Sequence, residues 1–155
     1  MTLVTDLETL KSLHQPGMRL FGLDLGTKTI GISISDGRLS VAGPLKTIRK
    51  KKFSVDVAEL AELVAEHNVM ALVIGLPLNM DGSEGPRAQA SRAFARNLEG
   101  RLDLPVVFWD ERLSTVAAER AMIEADLSRK KRAERIDAAA ASFILQGALD
   151  RLAKL

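Results

Sequence analysis

Residues 20–36 read Leu-Phe-Gly-Leu-Asp-Leu-Gly-Thr-Lys-Thr-Ile-Gly-Ile-Ser-Ile-Ser-Asp. Two apolar runs flank a small turn, Thr27-Lys28, which is the pattern of paired strands. Side chains alternate across a strand, so Leu20, Gly22 and Asp24 share one face, and Phe21, Leu23 and Leu25 the other. Burying an acid in such a run is costly unless something pairs with it. Two explanations of Asp24 stand at this point. It caps its own turn, or it holds a cation or phosphate beside a backbone that glycine leaves open. A short Asp-x-Gly pattern alone does not separate them.

Bulk composition narrows the choice. At 155 residues the chain suits one domain with a sizeable core, and 46% hydrophobic with 27% charged content suits a soluble globular protein. The absence of cysteine excludes disulfides and thiolate zinc sites and fits a reducing, cytoplasmic setting. No apolar run approaches the roughly 20 residues that span a bilayer. Residues 1–15 carry no signal-peptide pattern, so no membrane partner is expected. Net charge is only +2, but the cations cluster at Arg49-Lys50-Lys51-Lys52 and at Arg129, Lys130, Lys131, Arg132 and Arg135. A single cluster of this kind is ordinarily a solvated loop. Two clusters beside a carboxylate site suit a polyanion. Aromatics are scarce, which argues against a base-stacking platform and leaves phosphate contacts to dominate.

Ahead of the opening stretch, residues 1–17 read as an N-terminal extension with a short helix over 5–13, ended by Pro16-Gly17. After it, Val41 to Thr47 or Ile48 forms a third strand, which Gly43-Pro44 marks as an edge or a bulge. Ser54 or Asp56 caps a helix that runs to about His67, with Val57, Leu60, Ala61 and Val64 on its apolar face. His14 reads as an exposed polar residue and His67 as a helix-dipole partner, neither as a metal ligand. Met70–Leu76 is continuously apolar, the mark of a parallel strand covered on both faces. It opens into a polar loop, residues 77–86, at the strand edge where open α/β sheets bind ligands. A helix over 87–98 follows. The strand Val106–Trp109 runs into Asp110-Glu111-Arg112-Leu113-Ser114-Thr115. Ser114 or Thr115 caps a helix to about Glu124, and residues 126–135 read as a basic loop. A last helix begins at Arg135 or Ile136, with Asp137 in its first turn, where an acid ordinarily complements the dipole. The order β-β-β-α-β-α-β-α implies a mixed five-stranded sheet with helices packed on it.

If the first three strands are antiparallel, and the fourth pairs parallel with the first and the fifth with the fourth, three or four of the carboxylates Asp24, Asp110, Glu111 and Asp137 converge at one edge, with no histidine, cysteine or serine triad among them. An all-oxygen set suits Mg²⁺ or Mn²⁺. Two such ions clamp the attacking and leaving oxygens of an in-line phosphoryl transfer.

The motifs that carry these acids are Gly22-x-Asp24-x-Gly26-x-Lys28-x-Ile30-Gly31 with Ser35-Asp36, Gly75-Leu76-Pro77-Leu78-Asn79-Met80-Asp81-Gly82, Asp110-Glu111-Arg112-Leu113-Ser114-Thr115 and Ile136-Asp137-x-Ala139-Ala140. In this order, across residues 18–152, they resemble the YqgF family, also called the RuvX or Holliday-junction-resolvase-like family. The resemblance implies a ribonuclease H-like α/β fold over residues 18–155 and a metal-dependent nuclease. It further implies structured RNA as substrate, in maturation of the 5′ end of pre-16S ribosomal RNA, with ribosomal precursor particles as partners. A resolvase role on branched DNA is the alternative. Carried over by position, Asp24, Glu111 and Asp137 are the expected metal ligands and catalytic acids. Asp110 competes with Glu111, because alternation points only one of them straight inward. Lys28, Asn79, Arg112, Thr115 and the Arg129, Lys130, Lys131 and Arg132 cluster are the expected substrate contacts. Related nucleases often end the fourth strand in an acid. Here that position reads Ile74-Gly75-Leu76.

Two other classes compete. Asp-Leu-Gly-Thr-Lys resembles the first phosphate motif of the actin, sugar-kinase and chaperone ATPases. Those proteins close two such lobes around the nucleotide, and this chain has length for one. A non-catalytic RNA-binding module uses the basic clusters equally well but leaves three separated acid motifs without a purpose. Monomer and homodimer both stay open.

Overall fold

The computed structural model describes residues 3–113 and 129–155, with the backbone alone over 129–137. The chain runs β1 (Leu3–Val4), α1 (Leu7–Leu13), β2 (Arg19–Leu25), β3 (Thr29–Ser35), β4 (Ala42–Arg49), α2 (Phe53–Glu66), β5 (Val69–Leu76), α3 (Pro86–Asn97), β6 (Pro105–Asp110), a 3-10 turn (Glu111–Leu113) and α4 (Arg129–Leu152). Strand order is β1-β6-β5-β2-β3-β4. β2, β3 and β4 pair antiparallel, while β2-β5, β5-β6 and β1-β6 pair parallel. The five expected strands and their directions are therefore present. The N-terminal segment adds a short sixth at the edge.

Alternation along β2 divides the core into two layers. Phe21 and Leu23 join Ile30, Ile32, Leu72 and Ile74 beneath α2 and α3. Leu20 joins Ala71, Val73, Trp109, Ile144 and Leu145 beneath α4. β5 is covered on both sides, as its unbroken apolar run requires. β4 lies at the far edge, and its register slips opposite Ile32/Ser33, next to Pro44. Proline cannot donate to a ladder and belongs at such a place.

α4 seats close to the sheet because its backbone and side chains meet glycines there. A Cβ on Gly22 would stand 2.4 Å from Ser33 Oγ, 2.7 Å from the Ala141 carbonyl oxygen and 2.7 Å from Leu145 Cβ. Ser33 is fully buried, and its hydroxyl donates to the Ala141 carbonyl at 2.7 Å. One hydrogen bond thus ties strand to helix where no side chain fits between them.

Three expectations change. Residues 3–13 do not hang from the domain. β1 pairs with β6, and Leu10 is completely buried in the α4 layer, a burial that contributes about 1.5–3 kcal/mol. α2 has Lys52, not Ser54 or Asp56, at its N-cap, without a side-chain cap. Asp56 instead accepts the Lys51 N–H from inside the helix, at 3.0 and 3.2 Å. Residues 129–135 are not a loop: α4 starts at Arg129. Asp137 accordingly lies two turns into the helix, and a dipole contact at a first turn does not account for it. The helix expected from Ser114 or Thr115 to Glu124 lies outside the described residues.

Candidate active site

Asp24 is the penultimate residue of β2, on the α4 face, and only 5% exposed. Its antiparallel neighbour is Gly31. The parallel register Gly22↔Val73, Leu23↔Ile74 carries on to set Gly75 beside it in β5. Both flanking positions therefore lack side chains. At Gly75 a Cβ would stand 3.4 Å from the carboxyl carbon of Glu111. Glu111 follows β6 at the start of the 3-10 turn and lays its carboxylate over that glycine. The same Cβ would lie 2.5 Å from Ile144 Cδ1, so this is the α4 face, the face of Asp24.

Asp110 is committed elsewhere. Arg112 Nε donates to its two carboxylate oxygens at 3.0 and 3.1 Å, and Nη2 donates at 2.7 Å. The Arg112 backbone N–H adds a fourth contact at 3.0 Å. The guanidinium holds the Asp110 carboxyl below its usual range, and the carboxylate in turn raises Arg112. Arg112 also reaches the Met80 carbonyl at 3.4 Å, joining β6 to the loop after β5. Asn79 organises that loop from within: its amide donates to Ser83 Oγ at 3.0 Å, and its backbone N–H donates to the Ser83 carbonyl at 2.9 Å.

The Ala141 carbonyl of α4 stands opposite Gly22, and Ile144 stands opposite Gly75. Asp137 precedes Ala141 by about one turn, ~5.4 Å. Asp24 lies two residues beyond Gly22, about 6.6 Å. Among the described residues no three acidic or histidine side chains form a metal-binding group. The third expected ligand lies where only backbone is described, as do Arg129, Lys130, Lys131 and Arg132. Thr115 lies outside the described residues.

The first basic cluster, in contrast, is brought to this edge. Lys28 is exposed in the β2–β3 turn, which Gly26 N–H closes onto the Thr29 carbonyl at 2.9 Å. Lys50 N–H donates to the Lys28 carbonyl at 2.9 Å, fastening the Arg49–Lys52 run beside that turn. Arg87 projects from the first turn of α3. None of Lys28, Arg49, Lys50, Lys51, Lys52 or Arg87 forms an ion pair among the described residues. The proximity of Lys50 and Arg87 went unread in the sequence because nothing local links residues so far apart. The covered strand β5 was the available signal, since its two flanking helices must begin at one edge.

The donor set at this edge consists of carboxylate oxygens, without thiolate or imidazole, and glycines flank Asp24. That chemistry fits a small hard cation. A mixed sheet of this order, with buried and half-buried carboxylates at the C-terminal ends of its parallel strands, is a ribonuclease H-like fold. Residues 18–151 match the family described as "RuvX: Holliday junction resolvase", and the chain belongs to that family. A Rhodobacter capsulatus protein named "Putative pre-16S rRNA nuclease" is 68% identical over 136 residues, covering 88% of this chain and 86% of its own. A Rhizobium etli protein of the same name is 59% identical over 155 residues, covering 100% of this chain and 94% of its own. Thermus thermophilus RuvC, solved with a Holliday junction substrate, shares the fold with a TM-score of 0.53 at 14% identity. That match covers 88% of this chain and 96% of RuvC.

Proposed function

We propose that this chain is a divalent-metal-dependent endonuclease that processes the 5′ end of pre-16S ribosomal RNA. Residues 18–155 are its nuclease domain, and residues 1–17 an extension whose residues 3–13 pack against it. The observation that carries the reading is the approach of Glu111 to Gly75 on the face that buries Asp24, at an edge with six cations that form no ion pair among the described residues. The relatives' names support RNA as the substrate.

Asp24, Glu111 and Asp137 are the residues that hold Mg²⁺ or Mn²⁺. When bound, the metal neutralises charge developing on the scissile phosphate. Asp110 takes a positioning role: it fixes Arg112, and Arg112 fixes the loop after β5. Lys28 and the Arg49–Lys52 run attract the polyanion and hold the phosphates flanking the cut. The cluster from Arg129 to Arg132, at the start of α4, extends that contact along the substrate.

The test is cleavage of a precursor 16S ribosomal RNA fragment with Mg²⁺, comparing the natural protein with Asp24→Asn. Near-complete loss is expected, with accumulation of unprocessed 5′ ends in depleted cells that carry only the Asp24→Asn copy. Undiminished cleavage by Asp24→Asn would sink the proposal. The family description supports a second reading, resolution of branched DNA. Preferential cleavage of a four-way junction over the RNA would favour it.

A further inference from the structure

On the opposite face of the same strand end lies a cleft of about 320 Å³. Its wall is formed by Leu25, Gly26 and Thr27, the residues directly after Asp24. Its floor includes Phe53 and Phe94, packed edge to face with ring centroids 5.7 Å apart and an interplanar angle of 83°. Lys50 and Arg87 stand at its rim, and no acidic side chain lines it. Both rings are half-buried and both cations exposed. Of only five phenylalanines in the chain, two meet at this cleft.

We infer that this cleft receives one unpaired nucleotide of the RNA strand next to the scissile phosphate. The inference rests on the nuclease reading above for the identity of the strand. The cleft has the size range of small-molecule sites, and its apolar floor with a cationic rim matches a base joined to its phosphate. Leu25 follows Asp24 directly and alternation sends their side chains to opposite faces, so cleft and carboxylates straddle one strand end. A polynucleotide crossing the sheet edge meets both sides. Its phosphate lies toward Asp24 and Glu111, and the adjoining base turns down beside Phe53 and Phe94. Lys50 and Arg87 contact the phosphate on the far side of that base. An unpaired base enters without the cost of opening a duplex, so the cleft selects single-stranded positions for cutting.

The geometry is tested by photocrosslinking a short single-stranded RNA carrying 5-iodouridine to the Asp24→Asn protein, with adducts mapped by mass spectrometry. Adducts on Phe53 or Phe94 are expected. Ala90, an exposed α3 residue lining the cleft, supplies the control. Ala90→Leu fills the space with a helix-favouring side chain and should lower the adduct yield roughly tenfold, within the range of base–aromatic stacking. Adducts confined to other residues, an undiminished yield in Ala90→Leu, or adducts with the matching DNA but not the RNA would each overturn the inference. Failure of the nuclease reading shows separately, as absent RNA cleavage by the natural protein despite adducts in the cleft.

Discussion

The carboxyl carbon of Glu111 lies 3.4 Å from the point that a Cβ on Gly75 would occupy, and Ile144 Cδ1 lies 2.5 Å from the same point. A methyl group at Gly75 therefore fills the space beside the carboxylate and presses on the core at once. Gly75→Ala should lower stability by about 1–3 kcal/mol through overpacking. It should also reduce cleavage by more than unfolding explains. Adding Ile144→Val removes the clashing Cδ1, so the double variant should regain much of its melting temperature without regaining activity. Thermal unfolding and RNA cleavage on the same preparations separate the two effects. Full recovery of activity in the double variant would show that Gly75 serves packing alone.

The two acids after β6 should behave differently. Glu111→Gln removes a proposed ligand while leaving the Asp110–Arg112 pair intact, and should abolish cleavage with little change in melting temperature. Asp110→Asn leaves the Glu111 carboxylate in place but weakens the grip on Arg112 and, through it, on the Met80 carbonyl. Its main effect should be a raised KM with a smaller loss in kcat. The reverse ranking, with Asp110→Asn inactive and Glu111→Gln active, would exchange their roles.

Much of this strand edge is legible in the sequence. Alternation along β2 places Asp24 and Gly22 on one face, and the unbroken apolar run of β5 marks a covered parallel strand. The start of α4 was not legible. Arg129–Arg135 looks like a solvated loop by charge, yet lysine and arginine are good helix formers, and the alanine-rich run after them extends the same helix. β1 was invisible because two residues carry no periodicity. The Phe53–Phe94 cleft was hidden for another reason. Its residues come from three separate segments, and only the parallel crossovers bring them to one edge.

Gly22 and Ser33 set how closely α4 approaches. Gly22→Ala puts a methyl against the Ala141 carbonyl, which is backbone and cannot swing aside. It should cost about 3 kcal/mol or more, at or above the upper end of ordinary overpacking. Adding Ser33→Ala removes only one of the three close contacts and should not restore stability. Ser33→Ala alone leaves the Ala141 carbonyl without this donor and should cost about 1–3 kcal/mol. Urea denaturation of the three variants checks the order, and recovery in the double variant would contradict it.

Acid stability should reflect Asp36. The Ser40 hydroxyl donates to its carboxylate at 2.6 Å, and the Ser40 and Val41 backbone N–H groups donate at 2.7 and 3.1 Å. Led by the hydroxyl, these donors lower its pKa from 3.8 to about 2. A depressed carboxylate pKa stabilises the fold above the unfolded value, and that stability is lost as pH falls from there through about 2. After discounting for solvent, the contribution is about 1 kcal/mol at neutral pH. Asp36→Asn should therefore lower stability near pH 7 and flatten its dependence on pH between about 4 and 2. An unchanged pH profile in that variant would exclude this carboxylate as the source.

The exposed lysines at the sheet edge make a quantitative prediction for binding. Each lysine that neutralises a phosphate releases condensed counterions, and for a single strand log K falls with log salt by about 0.7 per contact. Lys28 and Lys50 sit on adjoining loops joined by one backbone hydrogen bond, and neither has a carboxylate partner among the described residues. Lys28→Gln and Lys50→Gln should each weaken RNA binding without favouring any sequence, and each should make the salt slope shallower by about 0.7. In the double variant the slopes should add, because distinct phosphates are contacted. Titrations over a range of salt concentrations in Ca²⁺, with the Asp24→Asn protein so that nothing is cut, give these slopes directly. An unchanged slope in both single variants would place the RNA away from the β2–β3 turn, and with it away from the edge that buries Asp24.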